Sequence, residues 1–158
     1  MSMNIFSGML VSAALLCLAS SPVSAENTGV QTAAGSTLSP RQQQAIRNAF
    51  SGLHTKAERE MAMQMNDARK VAETMCRPIA LEYFRERYEA ADRVFLGTGK
   101  DDSLTLHGNS RLTGTGQVRE GFNWHYFTFD CQLNPATGYA TSFSANLTRT
   151  ESFRRQSL

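Results

Sequence analysis

This sequence lacks the features by which a function is most easily read. Its charge has no dominant sign: 16 Lys and Arg against 14 Asp and Glu leave a formal net charge of +2. Acids and bases interleave, as in Glu58-Arg59-Glu60 and Arg85-Glu86-Arg87. Binding by phosphate neutralisation needs a patch of one sign, so no nucleic acid is expected as a partner. Arg149, Arg154 and Arg155 come nearest to such a patch and read as part of a flexible basic tail, 149–158. Long apolar runs are missing too. Residues 9–18 form a short one, well under the roughly twenty residues a spanning helix needs.

Catalytic and metal signatures are equally scarce. His54, His107 and His125 are far apart, and none sits in a metal-ligand spacing such as H-x-x-x-H. They read as surface residues, with His125 on the Phe127 side of its strand and partly buried. There is no G-x-S-x-G. Gly97-Thr98-Gly99-Lys100 is not a phosphate loop, because Val94 stands where the first glycine belongs and Asp101 follows the lysine. No cofactor is implied. A small hydrolase would have to combine His125 with Asp130, or with a serine from Ser103 or Ser110. Met61-Ala62-Met63-Gln64-Met65 raises soft-metal chemistry, since thioethers bind Cu(I). On a helix, however, Met61 and Met65 share the apolar face while Met63 points elsewhere. Methionine as adaptable core filler is the better reading, and a copper-binding protein the remote one.

Cysteine is scarce as well, at three residues, and the N-terminus decides what they mean. The apolar run leads into Ser20-Ser21-Pro22-Val23-Ser24-Ala25, with small residues at the −3 and −1 positions of a signal peptidase site. The n-region, Met1-Ser2-Met3-Asn4, carries no Lys or Arg. Residues 1–25 are read as a signal peptide cut after Ala25, giving a periplasmic or secreted protein with no membrane span after cleavage. Cys17 leaves with it. In an oxidising compartment the remaining pair, Cys76 and Cys131, forms one disulfide. Closing a loop of about fifty-five residues is worth roughly 4 kcal/mol in the chain-entropy model.

Residues 26–38 have no apolar period and read as a disordered leader. A single domain is expected over 39–148. Ser39-Pro40-Arg41-Gln42 is a capping box with proline at the first helical position. Thr55-Lys56-Ala57-Glu58 is a second box, opening a new helix or lying inside a continuing one. Ala57, Met61, Met65, Ala68, Ala72, Met75, Ile79 and Tyr83 then step by three or four residues, an apolar stripe that predicts helix. Pro78 removes a backbone donor and pushes Arg77 from helical angles, so a kink or break is expected there. Beyond Asp92 the period becomes two. Strands are predicted at 93–96 and 104–106, joined by 97–102 as a turn, with 111–118 extending the second strand or forming its own. The clearest strand is 124–133, which puts Phe127, Phe129, Cys131 and Leu133 on one face and Trp124, Tyr126, Thr128, Asp130 and Gln132 on the other. A last strand covers 139–147. The fold class is α+β: amphipathic helices on one face of a four-stranded antiparallel meander, stapled by Cys76–Cys131.

The Cys76-Arg77-Pro78-Ile79-Ala80 segment, the Asp92-Arg93-Val94 strand opening, and Trp124 through Cys131 followed by Thr141-Ser142-Phe143 resemble a known pattern. It is that of small exported proteins of α-proteobacteria catalogued as domain of unknown function nine hundred and thirty, over roughly residues 76–143. The resemblance implies an envelope location and a paired cysteine, and brings no assigned activity. Trp124, Tyr126 and Tyr139 place large aromatics where a one-sided sheet should be hydrophilic, a possible recognition surface unless the leader or first helix covers it. The expected function is a binding module without catalytic activity, acting on an envelope or extracellular protein. A narrower version is an inhibitor of an exported hydrolase.

Overall fold

The computed structural model describes residues 36–153. The expected signal peptide, the leader through residue 35, and Arg154 and Arg155 lie outside them. Both capping boxes are made. Ser39 Oγ accepts from the Gln42 N–H at 3.1 Å while Gln42 Oε1 accepts from the Ser39 N–H at 2.9 Å, opening α1 (Pro40–Ser51). Thr55 and Glu58 repeat the exchange and open a new helix, α2 (Lys56–Gln64). Met65, at ψ 151°, leaves the helix, and Asn66 caps α3 (Asp67–Val71) through its side-chain oxygen.

The break expected at Pro78 does not occur. Pro78 lies in the first turn of α4 (Arg77–Arg85), and Arg77 keeps helical angles, φ −59° and ψ −42°. Residues Ala72–Cys76 form one turn of π-helix ahead of it, with the Arg77 N–H bonded to the Ala72 carbonyl. A proline ring crowds the carbonyl four residues before it. The wider turn moves that carbonyl aside, so the helical path continues.

The apolar stripe is buried only in its second half. Val71, Ala72, Met75, Cys76, Ala80 and Phe84 are in the core, with Ile79 and Tyr83 packed at its margin. In α2 only Ala62 is buried; Met61, Met63 and Met65 are 61%, 42% and 36% exposed. The core-filler reading of these methionines is therefore corrected. The reason is geometric: α2 packs on α1 rather than on the sheet, so its periodic face has no large apolar surface to meet.

Five strands form one antiparallel sheet: β1 (Ala91–Leu96), β2 (Leu104–His107), β3 (Arg111–Glu120), β4 (Asn123–Asn134) and β5 (Tyr139–Ser152). Strands β3, β4 and β5 are a meander. Strands β1 and β2 both pair with β3, one against Gly116–Glu120 and the other against Arg111–Gly114. Residues 97–102 therefore do not turn one strand back on the other, as expected, but interrupt a single edge. The long β3 accommodates both halves, and Gly97, at φ 78°, takes the chain out of β1. Strand β5 runs past the expected end at Leu147 because β4 begins at Asn123 and pairs with it as far as Ser152. Arg149 is thus in the sheet and not in a tail.

Helix and sheet meet along the inner face of β4. Phe127, Phe129, Cys131 and Leu133 are buried, and Phe84 lies 4.6 Å from Phe127 between ring centroids. Cys76, in the π-turn, is bonded to Cys131 with Cα atoms 6.1 Å apart. Gly116 lies under the Phe127 ring, where a Cβ would come within 2.5 Å of it. The architecture is α+β, helices on one face of an antiparallel sheet. Among the described residues no helix is long and apolar enough to cross a membrane.

Candidate functional site

Alternation along β4 sends Trp124, Tyr126, Thr128, Asp130 and Gln132 to the face away from Phe127 and its helices. On this open face Trp124 stacks on Phe95 of β1, centroids 5.9 Å apart and planes 27° from parallel. Beside it the Arg149 guanidinium lies 3.8 Å over the Tyr126 ring, and the Tyr126 hydroxyl donates to Glu151 at 3.1 Å. Phe95 is 38% exposed. Neither α1 nor any other described helix covers these rings. Phe95 was missed in the sequence, although its place between inward-facing Val94 and Leu96 was available as a signal. Tyr139 is 65% exposed but pairs with Asn134 at the far end of β4. At ~3.3 Å per residue that is about 33 Å from Trp124, so the expected trio is not brought together.

Ion pairs frame the rings. Arg119 binds Asp92 through two nitrogens, one at 2.9 Å, and Arg111 binds Asp130 at 2.7 Å. The Arg119 bonds hold the Asp92 carboxyl below its ordinary range. The Arg111 bond does the same for Asp130 against the opposing effect of burial, with help from Gln132.

Where the open face meets the free edge of β1, a groove of about 450 Å³ runs between that edge and α4. Pro78, Leu81 and Val94 give it an apolar wall, while Arg77, Arg93 and Phe95 border it. The ladder fixes which backbone groups face it. The Gly97 N–H bonds the Thr115 carbonyl at 2.7 Å, and the register continues through Phe95 with Gln117 and Arg93 with Arg119. Those residues bond β3, so Val94 and Leu96 turn their N–H and C=O outward. Arg69 caps the Leu96 carbonyl at 2.8 Å.

His125 occupies a separate corner on the inner face. Its ring is buried and stacks on Tyr88, centroids 4.3 Å apart and planes 5° from parallel. Nε2 lies 2.8 Å from Glu120 and Nδ1 2.9 Å from the Thr150 hydroxyl. The ring thus bridges a carboxylate and a hydroxyl, one at each nitrogen. Burial and the Glu120 carboxylate push the Tyr88 phenol up, keeping it protonated. The expected partners are elsewhere. Asp130 is on the opposite face, Ser103 donates to the Lys100 carbonyl and accepts from the Thr98 N–H, and Ser110 lies next to Arg111, which pairs with Gln132 at the other end of the sheet. Glu120 and Thr150 were missed because Thr150 was assigned to the tail. His107 is exposed and bonds Thr113 at 2.8 Å.

No group of three or more His, Cys, Asp or Glu among the described residues is arranged to hold a metal ion. No family model, curated protein or solved structure matches the chain.

Proposed function

We propose that this protein is an exported interaction module that binds an envelope or extracellular protein through the open face of its sheet, without catalysis of its own. One observation carries the reading: two contacts, Trp124 stacked on Phe95 and Arg149 over Tyr126, put aromatic and cationic groups side by side on the sheet face away from the buried Phe127 row. Aromatic residues and arginine are the side chains most enriched in the energetic centres of protein interfaces. The disulfide is compatible with an oxidising location. Export through residues 1–25, cleavage after Ala25 and kinship with the exported family belong to the same proposal. Inhibition of an exported hydrolase is its narrower form. Immobilised mature protein should capture a partner from envelope extract, and Trp124→Ala or Phe95→Ala should lose it while keeping the fold. Capture unchanged by both substitutions would remove the reading.

The chain Glu120–His125–Thr150 favours a second reading, a small hydrolase. The Glu120 carboxylate lies against one imidazole nitrogen and the Thr150 hydroxyl against the other, the carboxylate–imidazole–hydroxyl order that nucleophilic catalysis uses. A cleft of about 390 Å³, bordered by Glu120, Asn123 and Ser152, lies beside it. Turnover in an ester and amide substrate screen that disappears in both His125→Ala and Thr150→Val would establish this activity in place of the first.

A further inference from the structure

We propose that the groove beside β1 takes an extended peptide segment bearing a carboxylate, which joins the sheet as a short strand against Val94. This rests on the interaction-module reading and names the occupant and its mode of binding.

The backbone argument comes first. β1 is an edge strand, and Val94 presents an outward N–H and C=O into the groove. On either side the edge is closed: Arg69 caps the Leu96 carbonyl at 2.8 Å and Arg85 reaches the Ala91 carbonyl at 3.4 Å. What remains open is a window centred on Val94, the size of a short segment. The other sheet edge is less available. Tyr83 places its hydroxyl 3.4 Å from both the N–H and the carbonyl of Ala145, midway along β5. Edge strands accept added strands where their backbone groups are free, which favours β1.

Charge selects the ligand. Arg93 lies directly opposite Arg119 in the ladder, a like-charge pair that disfavours the sheet when unneutralised. Asp92 is committed to Arg119 by two bonds. Among the described residues Arg93 itself has no ion-pair partner. Arg77, across the groove, is half-exposed and shares only Glu73. A carboxylate from an incoming segment would lie between two guanidiniums, the arrangement that makes strong charge-assisted bonds. Alternate side chains of that segment would meet the apolar wall of Pro78 and Leu81 on one side and Phe95, stacked on Trp124, on the other.

The test is selection from a displayed library of short random peptides on the purified protein, followed by calorimetry with synthetic versions of the selected sequences. Enriched peptides should carry Asp or Glu between β-branched or aromatic residues. Arg93→Glu and Arg77→Glu should each weaken binding about tenfold or more, and N-methylation of the peptide amide opposite Val94 should abolish it. Amide resonances of Val94 and its neighbours should shift on binding. No enrichment over the Arg77→Glu/Arg93→Glu double variant overturns the groove proposal, whatever envelope capture shows. Peptides lost on Trp124→Ala but indifferent to both arginine substitutions would leave the interaction module standing and the groove excluded. Self-association in ultracentrifugation abolished by Arg93→Glu would put a second copy in the groove, and would equally overturn the proposal.

Discussion

The two faces of β4 carry opposite kinds of chemistry on one backbone. The inner face holds Phe127, Phe129 and Cys131 under α4, packed ring on ring and tied to Cys76. The outer face holds Trp124 and Tyr126 among exposed ion pairs, with no described helix over it. The core packing resides on the first face, and the recognition we propose belongs to the second. Because adjacent residues point to opposite sides, a substitution can be aimed at one property without the other. Each experiment below either breaks that division or sharpens it.

The largest effect should come from the staple. Cys76→Ser and Cys131→Ser should each lower unfolding stability by about 4 kcal/mol, the chain-entropy value for a loop of this length. The double variant should match either single one, since all three remove the same cross-link. Denaturant melts measure this. Unequal single effects would mean that one cysteine contributes something besides the bond.

Next comes a comparison within the apolar stripe. Met75 is buried beside the disulfide while Met61 is 61% exposed. Met75→Ala should cost about 3 kcal/mol through a lost core side chain and a residual cavity. Met61→Ala should change stability by less than ~0.5 kcal/mol, as for an ordinary surface position. Equal costs would place α2 against the core after all.

These two methionines also mark the boundary of what the sequence disclosed. The alternation of β4, the two capping boxes and the pairing of Cys76 with Cys131 were readable because each depends on local spacing, or on there being one partner left. The stripe was readable as helix but not as burial. Periodicity states which side chains share a face, and only the area of sheet available decides which of them it covers. Of the kink or break expected at Pro78, the break fails for a related reason: the rule for proline assumes an α-helical turn, and Ala72–Cys76 widen that turn. Phe95 with Trp124, and His125 with Glu120 and Thr150, depend on register between strands distant in the chain. A strand pattern alone does not supply that register, and here the strand containing Thr150 was ended too early.

A smaller inner-face effect should follow from Gly116→Ala. A Cβ there would lie 2.5 Å from the Phe127 ring and 2.8 Å from the Phe95 carbonyl. Overpacking of this kind costs about 2 kcal/mol when neighbours must shift. The altered Phe95 backbone should also loosen its stacking on Trp124, so tryptophan fluorescence should change with it. A melt without loss would show that the ring has room to move.

The smallest effect belongs to the outer face and is a function of pH. Arg119 holds Asp92, and Arg111 with Gln132 holds Asp130, below the usual carboxylate range. A carboxyl whose folded pKa is depressed binds protons more weakly in the folded chain than in the unfolded one. Its stabilising contribution is therefore complete above the unfolded value, about pH 4, and is lost as pH falls through the lowered folded value. Both pairs are exposed, and solvent screening keeps the loss small. It should nevertheless be visible locally, because Trp124 is the chain's only tryptophan and stands beside the Arg119–Asp92 pair in the Trp124–Arg119 register. Below about pH 4 the Trp124 emission should shift before the near-ultraviolet signal of the inner-face rings changes. Arg119→Gln should move that step up toward the ordinary carboxylate range, while Asp92→Asn should remove it. If tryptophan and core signals moved together at every pH, the two faces would melt as one unit, and recognition and stability would not be separable along β4.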